Sequence, residues 1–169
     1  MKAIGPTFAA EIAAAGLSGL PFSWQADGTI LFGPTMTADQ IAAVGAVYAA
    51  HDPTKPDLAE QAGAAISAGC TIALSGSITL AATLFPTDPL TQGKISAVVT
   101  TIDTTGTFPG GATTYPMKDA AGTWHTFSVA QYKAVAGAIA AYVAALDLIA
   151  DGNPLAASSL PADAISLAV

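Results

Sequence analysis

The stretch TWHTFSVAQYKAVAGAIAAYVAALDLIA, residues 123–150, decides the fold. Its opening residues, Thr123 to Phe127, are aromatic or β-branched apart from His125, which favours a strand. Ser128-Val129-Ala130-Gln131 then has the spacing of a capping box, in which the Ser128 hydroxyl and the Gln131 side chain satisfy opposite orphan amides. A helix to about Ala150 follows. Val129, Tyr132, Ala136, Ile139, Val143, Leu146 and Ala150 fall at heptad a/d spacing, and Val135, Tyr142 and Ile149 form a second flank. The apolar surface is wider than one coiled-coil seam needs, so the spacing predicts a helix buried in its own domain core. The same surface is a candidate subunit interface through Tyr132, Ile139, Tyr142, Val143 and Leu146.

Upstream, Tyr115 to Met117 and Thr123 to Phe127 read as a hairpin around Asp119-Ala120-Ala121-Gly122, preceded by a glycine-rich loop from Gly106 to Thr113. Asp88-Pro89 is an N-cap and first-turn pair that starts a helix running to about Ile102. Cys70 to Leu74 and Ser77 to Ala82 read as a tight hairpin joined at Ser75-Gly76, after a helix from about Asp57 with Leu58, Ala62, Ala65 and Ile66 on one side. His51-Asp52-Pro53-Thr54-Lys55-Pro56 breaks the chain here. Before it lie a short helix at Thr7–Ala15, a hairpin turning at Asp27-Gly28, and a helix from a second capping box, Thr37-Ala38-Asp39-Gln40, to about His51. That helix presents Ile41, Val44, Val47 and Tyr48 as its apolar face.

Downstream, Gly152-Asn153-Pro154 stops the long helix. Pro161 prevents another, yet Leu155, Leu160, Ile165 and Leu167 still need apolar contacts. Both this segment and the extended Gly19-Leu20-Pro21 region read as arms that order against neighbouring subunits or partner proteins. The expected architecture is α+β: about four helices, short antiparallel β-hairpins, a long C-terminal helix and extended terminal arms. It is divided into an N-terminal attachment segment at 1–55, an α+β domain at 56–151 and a C-terminal arm at 152–169.

Composition narrows the function. Of 169 residues 52% are hydrophobic and only 10% charged, so a sizeable core forms and disorder is excluded as the general state. Such scarce polar surface favours a homo-oligomer or an assembly component. The net charge is -7 and the five cations are all lysines, which leaves no basic face for nucleic acid. The uncharged run between Lys133 and Asp147 is shorter than a membrane span, so no membrane insertion is expected. Lys2 and the apolar residues after it resemble a leader, but Gly5-Pro6 and Glu11 interrupt the pattern, and no cleavage is expected. The single Cys70 cannot make an intrachain disulfide and leaves the redox compartment open.

No constellation of residues carries chemistry. Gly16-Leu17-Ser18-Gly19 does not match a nucleophile elbow, and Gly93-Lys94 lacks the rest of a phosphate-binding loop. One cysteine with two histidines makes no zinc site, and the acids are scattered singly, so neither metal nor cofactor is expected. His51 reads as the solvated last turn of a helix and His125 as a surface strand residue. Trp24, Trp124, Tyr115 and Phe127 are hairpin aromatics whose first role is packing; stacking on a glycan is the alternative.

Two stretches carry a resemblance. Ala14-Ala15-Gly16-Leu17, Gly19-Leu20-Pro21-Phe22-Ser23-Trp24, Asp27-Gly28, Ile30 and Ala49-Ala50-His51-Asp52-Pro53 are similar to the starts of short phage proteins encoded beside tail-fibre genes. From Asp57 to the long helix, including Trp124, Phe127-Ser128 and Gln131, the chain resembles a tail-fibre-associated phage domain family of unknown function, departing from it in its alanine richness and lack of arginine. The resemblance implies a non-enzymatic structural protein of the bacteriophage virion, made in the host cytoplasm and residing in the tail region as a tail or tail-fibre attachment component. Its partners would be other phage tail and virion proteins. A tail-fibre assembly chaperone and a capsid decoration protein are the alternatives. No catalytic residue can be carried over.

Overall fold

The Ser128 box closes as its spacing requires: the Ser128 amide donates to Gln131 Oε1 at 2.9 Å, and the Gln131 amide to Ser128 Oγ at 3.5 Å. The Thr37 box closes likewise, at 2.9 and 3.2 Å. These caps and the rest of the fold are seen in a computed structural model that describes residues 1–76, 79–153 and 155–169. The chain divides into two units, Met1–Asp57 and Leu58–Val169, close to the proline-rich break.

In the first unit, helix α1 (Phe8–Ala14) precedes an antiparallel hairpin of β1 (Phe22–Trp24) and β2 (Ile30–Phe32), and then helix α2 (Ala38–Ala50). Phe8, Ile12 and Val44 form its core, with Phe22, Ile30 and Tyr48 packed against them. Ile41, expected on the apolar face of α2, is exposed, so the buried face is narrower than its spacing suggested. The segment before α1 is tied to α2, because the Tyr48 hydroxyl donates to the Lys2 carbonyl and accepts the Lys2 amide. Gly28, in the hairpin turn at φ +96°, lies against that same carbonyl: an added Cβ would stand 2.0 Å from the Lys2 oxygen.

The second unit runs α3 (Leu58–Ala68), β3 (Cys70–Ser75), β4 (Leu80–Phe85), α4 (Pro89–Thr105), a single 3₁₀ turn at Pro109–Gly111, β5 (Thr114–Lys118), β6 (Trp124–Ser128), α5 (Val129–Ala150) and β7 (Ala164–Ala168). The molecule therefore has five α-helices among its described residues and is α+β. Asp88 caps α4, accepting the amides of Leu90 and Thr91 on one oxygen. The helix continues to Thr105, past the Ile102 expected. β3 and β4 pair antiparallel with a register shift between Ile72 and Leu74, and β4 ends at Phe85, beyond the Ala82 expected. Ser77 and Ile78 lie outside the described residues, as does Pro154 beyond α5.

Helix α5 is the spine of this unit and touches α3, α4, β3, β5, β6 and β7. Tyr132, Val135, Ala136, Ile139, Tyr142, Val143, Leu146 and Ile149 are all buried, so both predicted flanks enter one core with Ile72, Phe85 and Phe127. Burying two flanks requires neighbours on both sides, and the helices and sheets supply them.

The expected C-terminal arm is corrected by β7. Instead of waiting for a neighbouring subunit, residues 164–168 pair parallel to β3, from Thr71↔Ala164 to Ser75↔Ala168, completing the sheet order β4-β3-β7. Leu160, Ile165, Leu167 and Val169 pack on the core of the same unit. Leu160, Ile165 and Leu167, which demanded a partner surface, thus find one within their own unit, whereas Leu155 stays exposed. The Gly19-Leu20-Pro21 region also belongs within its unit: the Pro21 carbonyl accepts the Gly33 amide.

Candidate assembly surface

The residues proposed for an interface separate into two groups. Tyr132, Ile139, Tyr142, Val143 and Leu146 are buried among their own unit's side chains, while Leu160, Ile165 and Leu167 are partly buried on the same core. Leu155 stands out at 85% exposure. The Tyr132 hydroxyl is pushed up to about 12, by burial first and then by neighbouring Tyr115, so it stays protonated at neutral pH. Helix α5 is 22 residues long and apolar enough to cross a membrane by length and composition, which the Lys133-to-Asp147 reading did not anticipate; its apolar flanks are occupied by the unit's own core.

Of the two histidines, His51 departs from its sequence reading, while His125 lies on a strand and is partly exposed, as read. His51 is 2% exposed where a solvated helix end was expected. The Gly5 amide donates to its Nε2 at 2.8 Å, so the ring proton sits on Nδ1, 2.7 Å from Glu11 Oε2. The Thr7 hydroxyl donates to the other Glu11 oxygen at 2.9 Å. Partial burial would raise the Glu11 pKa, but the hydrogen bonds from His51 and Thr7 outweigh it and hold the carboxyl below its ordinary value. This is a staple between the chain start and α2, and Phe8 packs edge-on against the ring.

His125, on β6, places Nε2 2.8 Å from Asp119 Oδ2, while Asp119 Oδ1 accepts the Thr123 amide at 2.7 Å. The hydrogen bond from His125 is the main reason that Asp119 titrates below its usual range. The carboxylate thus closes the β5–β6 turn and steadies the next strand. Among the described residues no group of three or more His, Cys, Asp or Glu side chains is arranged to hold a metal ion.

Among the described residues the surface offers apolar area and several clefts, two of which flank α4. In the first unit, Leu31, Phe32 and Trp24 are exposed on the β1–β2 hairpin, with Leu31 at 56%. In the second, Leu90 is 68% and Trp124 63% exposed. One cleft, about 650 Å³, runs between α4 and α5 over Ser96, Val99, Gly137 and Ala140. Its neighbour Lys133 is paired with Asp103 at 2.6 Å. The other cleft, about 550 Å³, lies between α4 and the β5–β6 hairpin, with Lys94, Lys118, Tyr115 and Trp124 among its walls. Composition pointed to exposed apolar area, but pairing of α4 with the hairpin is long-range and had no local signal.

The chain belongs to DUF4376, a domain of unknown function, whose family model matches residues 53–147. That span starts at the proline-rich break and takes in α3 through most of α5. Comparison with curated proteins and with solved structures found no match.

Proposed function

We propose that this DUF4376 protein is a structural component of a bacteriophage virion, a tail or tail-fibre attachment protein that works through protein–protein assembly and has no catalytic role. The observation that carries the reading is the large apolar side chains left exposed on both units: Leu31 and Phe32 on the β1–β2 hairpin of one, Leu90 and Trp124 on the other. Large exposed apolar side chains are what partner surfaces cover. The resemblance of the stretch from Ala14 to Pro53 to short phage proteins encoded beside tail-fibre genes supports a place at the tail. Five lysines against twelve acids make nucleic acid an unfavourable partner, and other virion proteins the natural ones.

Mass spectrometry of purified virions tests this. A tail component is expected in few copies per particle. Complete absence would favour an assembly chaperone, and hundreds of copies a capsid decoration protein; either result overturns the tail assignment.

A further inference from the structure

The cleft between α4 and the β5–β6 hairpin combines an apolar floor with two lysines. Its floor is formed by buried aliphatic and thioether side chains, Ile95, Val98 and Met117. At its walls stand Lys94 and Lys118, both exposed, with the Lys118 ammonium 5.5 Å from the centre of the Trp124 ring. The whole chain has five lysines against twelve acids, so placing two of them around one apolar depression concentrates positive charge where the average surface repels anions. The third lysine of this unit, Lys133, is held by Asp103. The carboxylate that also lines the cleft, Asp119, is turned to His125 and the Thr123 amide, and its side chain is only 9% exposed.

We propose that this cleft receives a short acidic segment of a partner protein, seating one apolar side chain on Ile95, Val98 and Met117 and placing flanking carboxylates on Lys94 and Lys118. A volume of about 550 Å³ has room for a large side chain with adjoining backbone. The charge is complementary to an acidic partner, and two ammonium groups beside an apolar floor recognise an amphipathic anion better than either feature alone. A saccharide would meet an aliphatic floor with few polar atoms for its hydroxyls, which favours the peptide. The inference rests on the reading of the chain as an assembly protein and gives that reading a partner chemistry.

The test is fluorescence anisotropy at low salt with the full chain and a labelled short peptide of aspartates and glutamates around one leucine. Saturable binding is expected, weakened about tenfold or more by Lys94→Glu with Lys118→Glu, by serine in place of the peptide's leucine, and by high salt. Both lysines are exposed, and an unchanged circular dichroism spectrum would verify that the doubly reversed protein folds. The same peptide with lysines in place of its acids should not bind. Absence of saturable binding, or binding indifferent to the charge reversal, would overturn the proposal. Displacement of the peptide by free glucuronic acid at equal concentration would overturn it too, assigning the cleft to a saccharide. Virions that contain the protein while the cleft ignores the peptide would sink this inference alone; peptide binding by a protein absent from virions would sink only the tail assignment.

Discussion

His51 is pinned by two groups at once. One ring nitrogen accepts the Gly5 amide and the other donates to Glu11. His51→Ala would leave the amide without its partner and the carboxylate without its charge-orienting donor, at a cost of about 1–3 kcal/mol, read as a lower urea midpoint of the first unit. The same staple has a pH dependence. Because the folded Glu11 titrates below its ordinary value of 4.5, its contribution is complete above that pH and is lost as pH falls through the depressed folded value. Trp24 packs on Phe8, so its fluorescence in a Trp124→Phe background should report acid loosening of this unit, with a shallower profile in Glu11→Gln. None of this was legible at His51 itself. Ending a helix before Asp52-Pro53, it looked solvated, and the partner that buries it lies 40 positions upstream.

Elements defined by local chemistry were readable. Both capping boxes, the Asp88 cap and the hairpin turn at Asp27-Gly28 depend on residues at most four apart, and the structure has each of them. Ser128→Ala should therefore cost about 1 kcal/mol of stability in the second unit, measured by urea unfolding, since it orphans the Gln131 amide at the start of α5. Strand β7 was not readable as a strand. Ala164-Ile165-Ser166-Leu167 alternates weakly, and its pairing partner Thr71–Ser75 is remote, so proline and apolar content suggested an arm. Read as an arm, the segment could be cut away after Asp151 with the domain left folded; its pairing with β3 predicts the opposite. Removing β7 strips β3 of one neighbour and exposes core against which Leu160, Ile165 and Leu167 pack, so the loss should be on the order of 3 kcal/mol, with faster hydrogen exchange along Cys70–Ser75. A lighter probe is Gly76→Ala: Gly76 has φ +121°, and an added Cβ would stand 2.1 Å from the Val169 oxygen. Destabilisation should appear without any change in the first unit.

At the scale of the whole molecule, the two units are unequal. Among the described residues, 58–169 hold a core of nineteen buried residues built on α5, whereas the core of residues 1–57 is Phe8, Ile12 and Val44. Expressed alone, residues 58–169 should unfold cooperatively and keep a helix-rich circular dichroism spectrum; residues 1–57 should be marginal, as small domains with little buried surface are. In the larger unit, Ile139→Asp would set a carboxylate in a fully apolar site at 1% exposure, at a cost of about 3–5 kcal/mol. An unchanged melting profile would mean that α5 faces elsewhere. The break near residue 55 and the α+β class were visible in the sequence, because proline spacing and helical periodicity are local. The α4–hairpin cleft was not, because it exists only after elements separated by a glycine-rich loop have docked.

The parallel pairing of β7 with β3 also sets a clock for synthesis. Ser75 and its partner carbonyl on Leu167 are 92 positions apart. At about 5–20 residues per second, the ribosome needs roughly 5–18 s after making β3 to deliver the strand that flanks it. Throughout that interval one side of a hydrophobic strand has its amides and carbonyls open. An identical strand from a neighbouring nascent chain would offer the same alternation of Ile165 and Leu167, so exchange of β7 between copies competes with closure within one. Slow, crowded translation would thus favour exchange, and dilution or faster elongation closure within one chain.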